Sequence, residues 1–162
     1  MAYYEGLRKH LQHVDYSSGI DDIDVDPIDH KMAADNVVAW YEREGYIAII
    51  NKRIDYDKSF VTKHKVRYTV HKYDVWVYDK DLCITKVVIE IDQKENDIVI
   101  LPNGHTLQIT ESRHNTAAQK RRDQIAEDYI KDYFPNILFI RIQKVDCFYP
   151  LVLNKILKAT IK

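Results

Sequence analysis

The chain has 162 residues, enough for one domain whose core needs no disulfide or metal staple. Its 24 Lys and Arg nearly balance 25 Asp and Glu, so no global field directs it to nucleic acid or to a membrane. No apolar run reaches the length of a membrane span and no signal peptide opens the chain, so an intracellular protein (cytoplasmic or nucleoid-associated) with no membrane partner is expected. Cys83 and Cys147 have neither disulfide-framework nor zinc spacing, and each reads as a small buried hydrophobe.

Residues 1–29 form an acidic segment ahead of a single domain over 30–162. Asp22, Asp24 and Asp26 alternate in "DDIDVD", but the turn glycine and distal glutamate of an EF-hand are missing and Pro27 follows. The stretch therefore reads as a loop leading into a helix capped by Asp29. From His30 to Glu44, Ala33, Ala34, Val37, Val38, Trp40 and Tyr41 keep helical spacing, and Gly45 is the stop. "YIAII" (46–50) predicts a buried strand. Residues 51–72 then carry seven basic side chains against Asp55 and Asp57. "VRYTV" within them predicts one arm of a hairpin. Lys63, Lys65, Arg67 and Lys72 are the candidates for meeting phosphates, with a solvated hairpin as the equal alternative.

Residues 73–78 and 84–92 predict two strands joined by "DKD", both apolar on both faces over most of their length and so central. "DIVILPNGHTLQIT" predicts a hairpin on a tight primed turn at Asn103-Gly104. A helix is expected over 116–133, with Ala118, Ile125, Ala126, Tyr129 and Tyr133 on its inward stripe. Arg122 falls in that stripe, where a charge needs an acid or a phosphate as partner. Pro135 ends the helix, "ILFIRI" (137–142) is a strand, and a short helix over 150–158 follows. The resulting fold class is α/β, with a mixed central sheet flanked by helices and an inserted β-hairpin.

The acids at the strand ends are the candidates for chemistry. Strand alternation places Glu90, Asp92 and Lys94 on one face and turns Ile89 and Ile91 into the core. Asp74 lies on the paired strand, within reach of the same place. Carboxylates gathered so closely want a cation, and hard oxygen ligands suit Mg²⁺ or Mn²⁺. Lys94 would position a water and offset charge as a phosphodiester is hydrolysed in line.

The order helix, three strands with acids on the second and third, helix, strand resembles the PD-(D/E)XK nucleases. "WYEREGYIAII", "YDVWV" and "CITKVVIEI" are similar to the corresponding segments of archaeal Holliday junction resolvases. "VVIEID", "RRDQIAEDYI" and "ILFIRI" resemble the very-short-patch-repair endonucleases. The resemblance covers residues 30–145 and implies a restriction-endonuclease-like α-β-β-β-α-β core and a divalent-metal-dependent nuclease, an endonuclease acting on DNA ahead of RNA. It carries over Asp74, Glu90, Asp92 and Lys94 as catalytic, the three acids as metal ligands, and Gln119 and Arg122 as auxiliary residues on the second helix. His105 matches a histidine that follows the acidic strand in the patch-repair group. Tyr73 stands where the motif has proline, and either Glu90 or Asp92 fills the second acidic position. A member of the same fold that binds nucleic acid without cutting it is the alternative. The sequence leaves the oligomeric state open, a homodimer included.

Overall fold

The structure is a computed structural model describing residues 28–81, 84–92, 97–109 and 117–161. Helix α1 (Ile28–Arg43) leads to strand β1 (Ile47–Asp55), short helix α2 (Lys58–His64), β2 (Val70–Tyr78) and β3 (Thr85–Asp92). Hairpin β4 (Asp97–Ile100) and β5 (Thr106–Ile109) follows, then α3 (Ala117–Tyr133), β6 (Leu138–Gln143), a 3₁₀ turn (Lys144–Phe148) and α4 (Pro150–Lys158).

Four strands form a mixed sheet in the order β1-β2-β3-β6, antiparallel except for the parallel pair β3–β6, and the hairpin forms a second, two-stranded sheet. The expectation that β2 and β3 are central holds, because their β-branched runs bury both faces. Val75, Val77, Val87, Ile89 and Ile91 face α1, α4 and the hairpin's Val99 and Ile109. Trp76 and Val88 face Ala126 and Ile130 of α3. Helix α2 adds Phe60 beneath α3, against Tyr56, Ile125 and Tyr129. The domain is thus helices on both sides of a sheet. Since α3 leads into a strand parallel to β3, its N-terminal turns lie at the end of the sheet where β3 and β6 finish.

Gly45 ends α1 as its sequence predicts. Its φ is +88°, its N–H donates to the Glu42 carbonyl at 3.0 Å, and the Tyr46 N–H donates to the Tyr41 carbonyl at 3.0 Å. That is a Schellman closure, and the Tyr41 and Tyr46 rings pack edge to face across it. An alanine here would take a left-handed backbone and set its Cβ 2.9 Å from the Lys80 side chain. Gly45→Ala should cost about 1–2 kcal/mol, read as a lower urea midpoint at unchanged slope. An unchanged midpoint would contradict this account of the helix end.

Several sequence expectations fail. β1 is an edge strand, and of "YIAII" only Ala48 is buried, with Ile49 and Ile50 exposed. The basic segment is no hairpin: β1 continues to Asp55, and 58–64 turn into a helix capped by the Asp57 side chain on the Ser59 N–H at 2.9 Å. Residues 66–69 lead directly into β2. The β4–β5 loop is not a two-residue primed turn. The Gly104 N–H donates to the Leu101 carbonyl at 2.9 Å with Gly104 at φ +86°, which makes Pro102-Asn103-Gly104 a three-residue loop. Asp29 lies inside the first turn of α1, buried rather than capping. Arg122, Ala118 and Tyr133 are exposed, because α3 is buried only between Ile125 and Ile130 and its first two turns overhang the sheet. Asp22, Asp24, Asp26, Cys83 and Lys94 lie outside the described residues; Cys147 is buried as expected.

Candidate functional site

The end of the sheet is shaped by one irregularity. The β1–β2 ladder runs from Ile47↔Tyr78 to Ile50↔Val75 and resumes at Lys52↔Tyr73, leaving Asn51 opposite Asp74. Asn51 has φ +54°, a left-handed backbone that asparagine tolerates better than most residues. Tyr73 and Trp76 bury on the same side of the sheet, which a regular strand would forbid for residues three apart. The Tyr73 hydroxyl, where the motif has proline, donates to the Ala126 carbonyl at 2.8 Å.

Asp74 is thereby released from regular pairing. Its N–H donates to Glu90 Oε1 at 3.1 Å. Its Oδ2 accepts the Ile91 N–H at 2.7 Å, and its Oδ1 lies 2.9 Å from His30 Nε2, on the first turn of α1. Glu90 Oε2 lies 3.4 Å from His71 Nε2. Two carboxylates from neighbouring strands therefore share one place, each also held by an imidazole.

Glu90 is 6% exposed. Burial, with the Asp74 charge adding to it, pushes its carboxyl up to about 7, although His71 and the Asp74 N–H pull the other way. Burial alone would lower His71, but its hydrogen bond to Glu90 and the Glu90 charge more than offset that and leave it raised.

Asp92, one strand step from Glu90, turns to a different partner. Arg141, which stands beside Glu90 in the β3–β6 register, places Nη1 3.4 Å from Asp92 Oδ1, Nε 3.2 Å from Glu127 Oε1, and donates from Nη2 to the Asp123 carbonyl at 2.9 Å. Burial raises the Asp92 carboxyl and the Arg141 charge offsets only part of it. Just beyond β6, Lys144 Nζ lies 3.4 Å from Asp29 Oδ2, and both side chains are buried. Asp29 also accepts the His30 N–H at 2.9 Å, so this ion pair fixes the turn that carries His30 to Asp74.

Asp74 and Glu90 are thus together, and Asp92 is adjacent but engaged by Arg141. Lys94, the expected ammonium, lies outside the described residues. Gln119 donates to Asp123 Oδ1 at 2.9 Å on α3. Arg122 does not face the acids: its guanidinium stacks 3.8 Å above the Tyr68 ring centroid. His105 is exposed on the β4–β5 loop and is not among the partners of the acids' oxygens. Lys63, Lys65, Arg67 and Lys72 are all exposed.

Sequence reasoning passed over His30, His71, Arg141 and Lys144. Only Arg141 left a signal, as the single charge inside "ILFIRI". Among the described residues no three His, Cys, Asp or Glu side chains form a metal-binding group. No helix there is long and apolar enough to cross a membrane. Comparisons with protein-family models, curated proteins and solved structures gave no match.

Proposed function

We propose that the chain is a divalent-metal-dependent nuclease of the PD-(D/E)XK type, hydrolysing phosphodiester bonds in DNA ahead of RNA. The observation that carries this reading is a carboxylate pair, half-buried Asp74 beside buried Glu90, where left-handed Asn51 stands opposite Asp74 in the ladder. Paired buried acids are costly unless a positive charge offsets them, and backbone strain of this kind collects at working sites.

The residues fit a hard cation. Each carboxylate oxygen has one polar neighbour here and retains a second lone pair. Asp74 and Glu90 would hold Mg²⁺ or Mn²⁺, and a bound cation of that kind would polarise a phosphoryl oxygen and offset the charge of both acids. The chain's own groups do the rest. The Ile91 N–H and His30 orient Asp74, His71 and the Asp74 N–H orient Glu90, and Arg141 keeps Asp92 turned aside. A protonated His71 would supply positive charge next to a scissile phosphate, the part expected of Lys94.

Calorimetric titration with Mn²⁺, paired with incubation of closed circular and linear DNA and of RNA in Mg²⁺, Mn²⁺ or EDTA, tests the reading. Wild type should bind Mn²⁺ and cut only with a divalent ion, and Asp74→Asn should lose both. A folded wild type that binds nucleic acid but cuts neither DNA nor RNA would favour the inactive member of the fold, in which Asp92 takes the lysine position for good.

A further inference from the structure

Two segments more than fifty residues apart in sequence meet beside this end of the sheet, and their cations fall on one surface. The end of α2 and the loop after it bring Lys63, Lys65 and Arg67, and the overhanging first turns of α3 bring Arg121 and Arg122, all exposed. They are tied together: Arg121 Nη2 donates to the His64 carbonyl at 3.4 Å, and Arg122 both stacks on the Tyr68 ring and donates to its hydroxyl. Tyr68 itself is 49% exposed, among the most exposed aromatic side chains described.

A ring pinned by a guanidinium keeps a fixed orientation, and it sits inside a field that collects phosphates. A nucleobase stacks on such a ring only when it is out of a duplex. Tyr68 precedes His71 by three residues, so their Cα atoms are at most about 11 Å apart, and His71 touches Glu90.

We propose that Tyr68, held by Arg122, is a stacking platform for an unpaired nucleotide, with Lys63, Lys65, Arg67 and Arg121 gripping the flanking phosphates. The partner is a nucleic acid carrying a single-stranded segment. Its binding stands apart from catalysis, but its bearing on the carboxylate pair rests on the nuclease reading. A charged surface alone would hold duplex and single strand through phosphates without regard to base exposure; the exposed ring is what separates the two.

Fluorescence anisotropy of the full chain in EDTA, with one short sequence as single-stranded DNA, single-stranded RNA and blunt duplex, tests this without any cutting. Wild type should prefer a single strand. Tyr68→Leu should weaken that binding about tenfold and leave duplex affinity unchanged. Tyr68→Phe should bind like wild type, and Lys65→Glu should weaken all three. Tyr68→Trp supplies a check that does not depend on the leucine variant folding, since the emission of the introduced indole should be quenched by single strand and not by duplex. Unchanged single-strand affinity in Tyr68→Leu, equal losses on duplex, or no quenching by single strand in Tyr68→Trp would overturn the platform. Loss of Mn²⁺-dependent cutting with this binding pattern intact would instead count against the nuclease reading alone.

Discussion

Glu90→Gln should raise the melting temperature of the metal-free protein by about 5–10 °C at pH 8 while removing divalent-dependent hydrolysis. The two effects come from one cause. The folded protein holds the Glu90 carboxyl up at about 7, above its ordinary value of 4.5, because the group is buried and Asp74 lies against it. Between those values the folded state binds more protons than the unfolded state. The stabilising share of the protonated acid is therefore complete below about 4.5 and is lost as pH rises to about 7. Above that, keeping the carboxylate ionised in its place costs on the order of 3 kcal/mol. His71 is raised as well, so its contribution disappears in the same direction, as pH climbs through its folded value. Glutamine keeps the shape and can still accept the Asp74 N–H, but it does not ionise, so the variant's melting temperature should fall less than that of wild type as pH rises over that range. At pH 4.5 the two proteins should melt close together. A variant that melts lower than wild type at pH 8 would show that the carboxylate is there for packing and not held at a cost.

Lys144→Met should lower the melting temperature by about 10 °C, from a loss of about 3–5 kcal/mol. The change removes a buried ammonium and with it the Lys144 ion pair to Asp29, whose side chain is also buried. Because Asp29 sits one residue from His30, the damage should reach Asp74 as well as the global fold. The double variant Asp29→Asn/Lys144→Met removes both charges and should recover most of the loss, since a neutral pair of similar size carries no uncompensated charge. Thermal melts of the four proteins form a double-mutant cycle that isolates the pair. A single change costing less than about 1 kcal/mol, or a double variant no better than the single, would mean that the pair does not organise the first turn of α1.

What the sequence could reveal followed periodicity. β2 and β3 announce themselves because their apolar runs serve two faces, and acids closing such runs stand out, so Asp74 and Glu90 were legible. Helix α2 was not, because seven residues that bury only Phe60 leave no period to read. The clue was local: Asp57 two residues before Ser59, the pattern of a helix cap. Arg122 has the right spacing for the inward stripe, but spacing does not tell where a helix overhangs its sheet. The partners of the acids come from α1, β2, β6 and the turn after it, and no motif spacing links elements joined only by folding. The kink at Asn51 belongs to the same class, since a left-handed asparagine within a strand is set by what lies across from it.

Wild type and Glu90→Gln, both confirmed folded by circular dichroism, should be incubated with closed circular DNA in Mn²⁺ and in EDTA. Nicked or linear product is expected from wild type in Mn²⁺ only, and none from the variant in either buffer. Cutting that survives in Glu90→Gln, or that proceeds in EDTA, would contradict this and would take the paired carboxylates of Asp74 and Glu90 out of the chemistry.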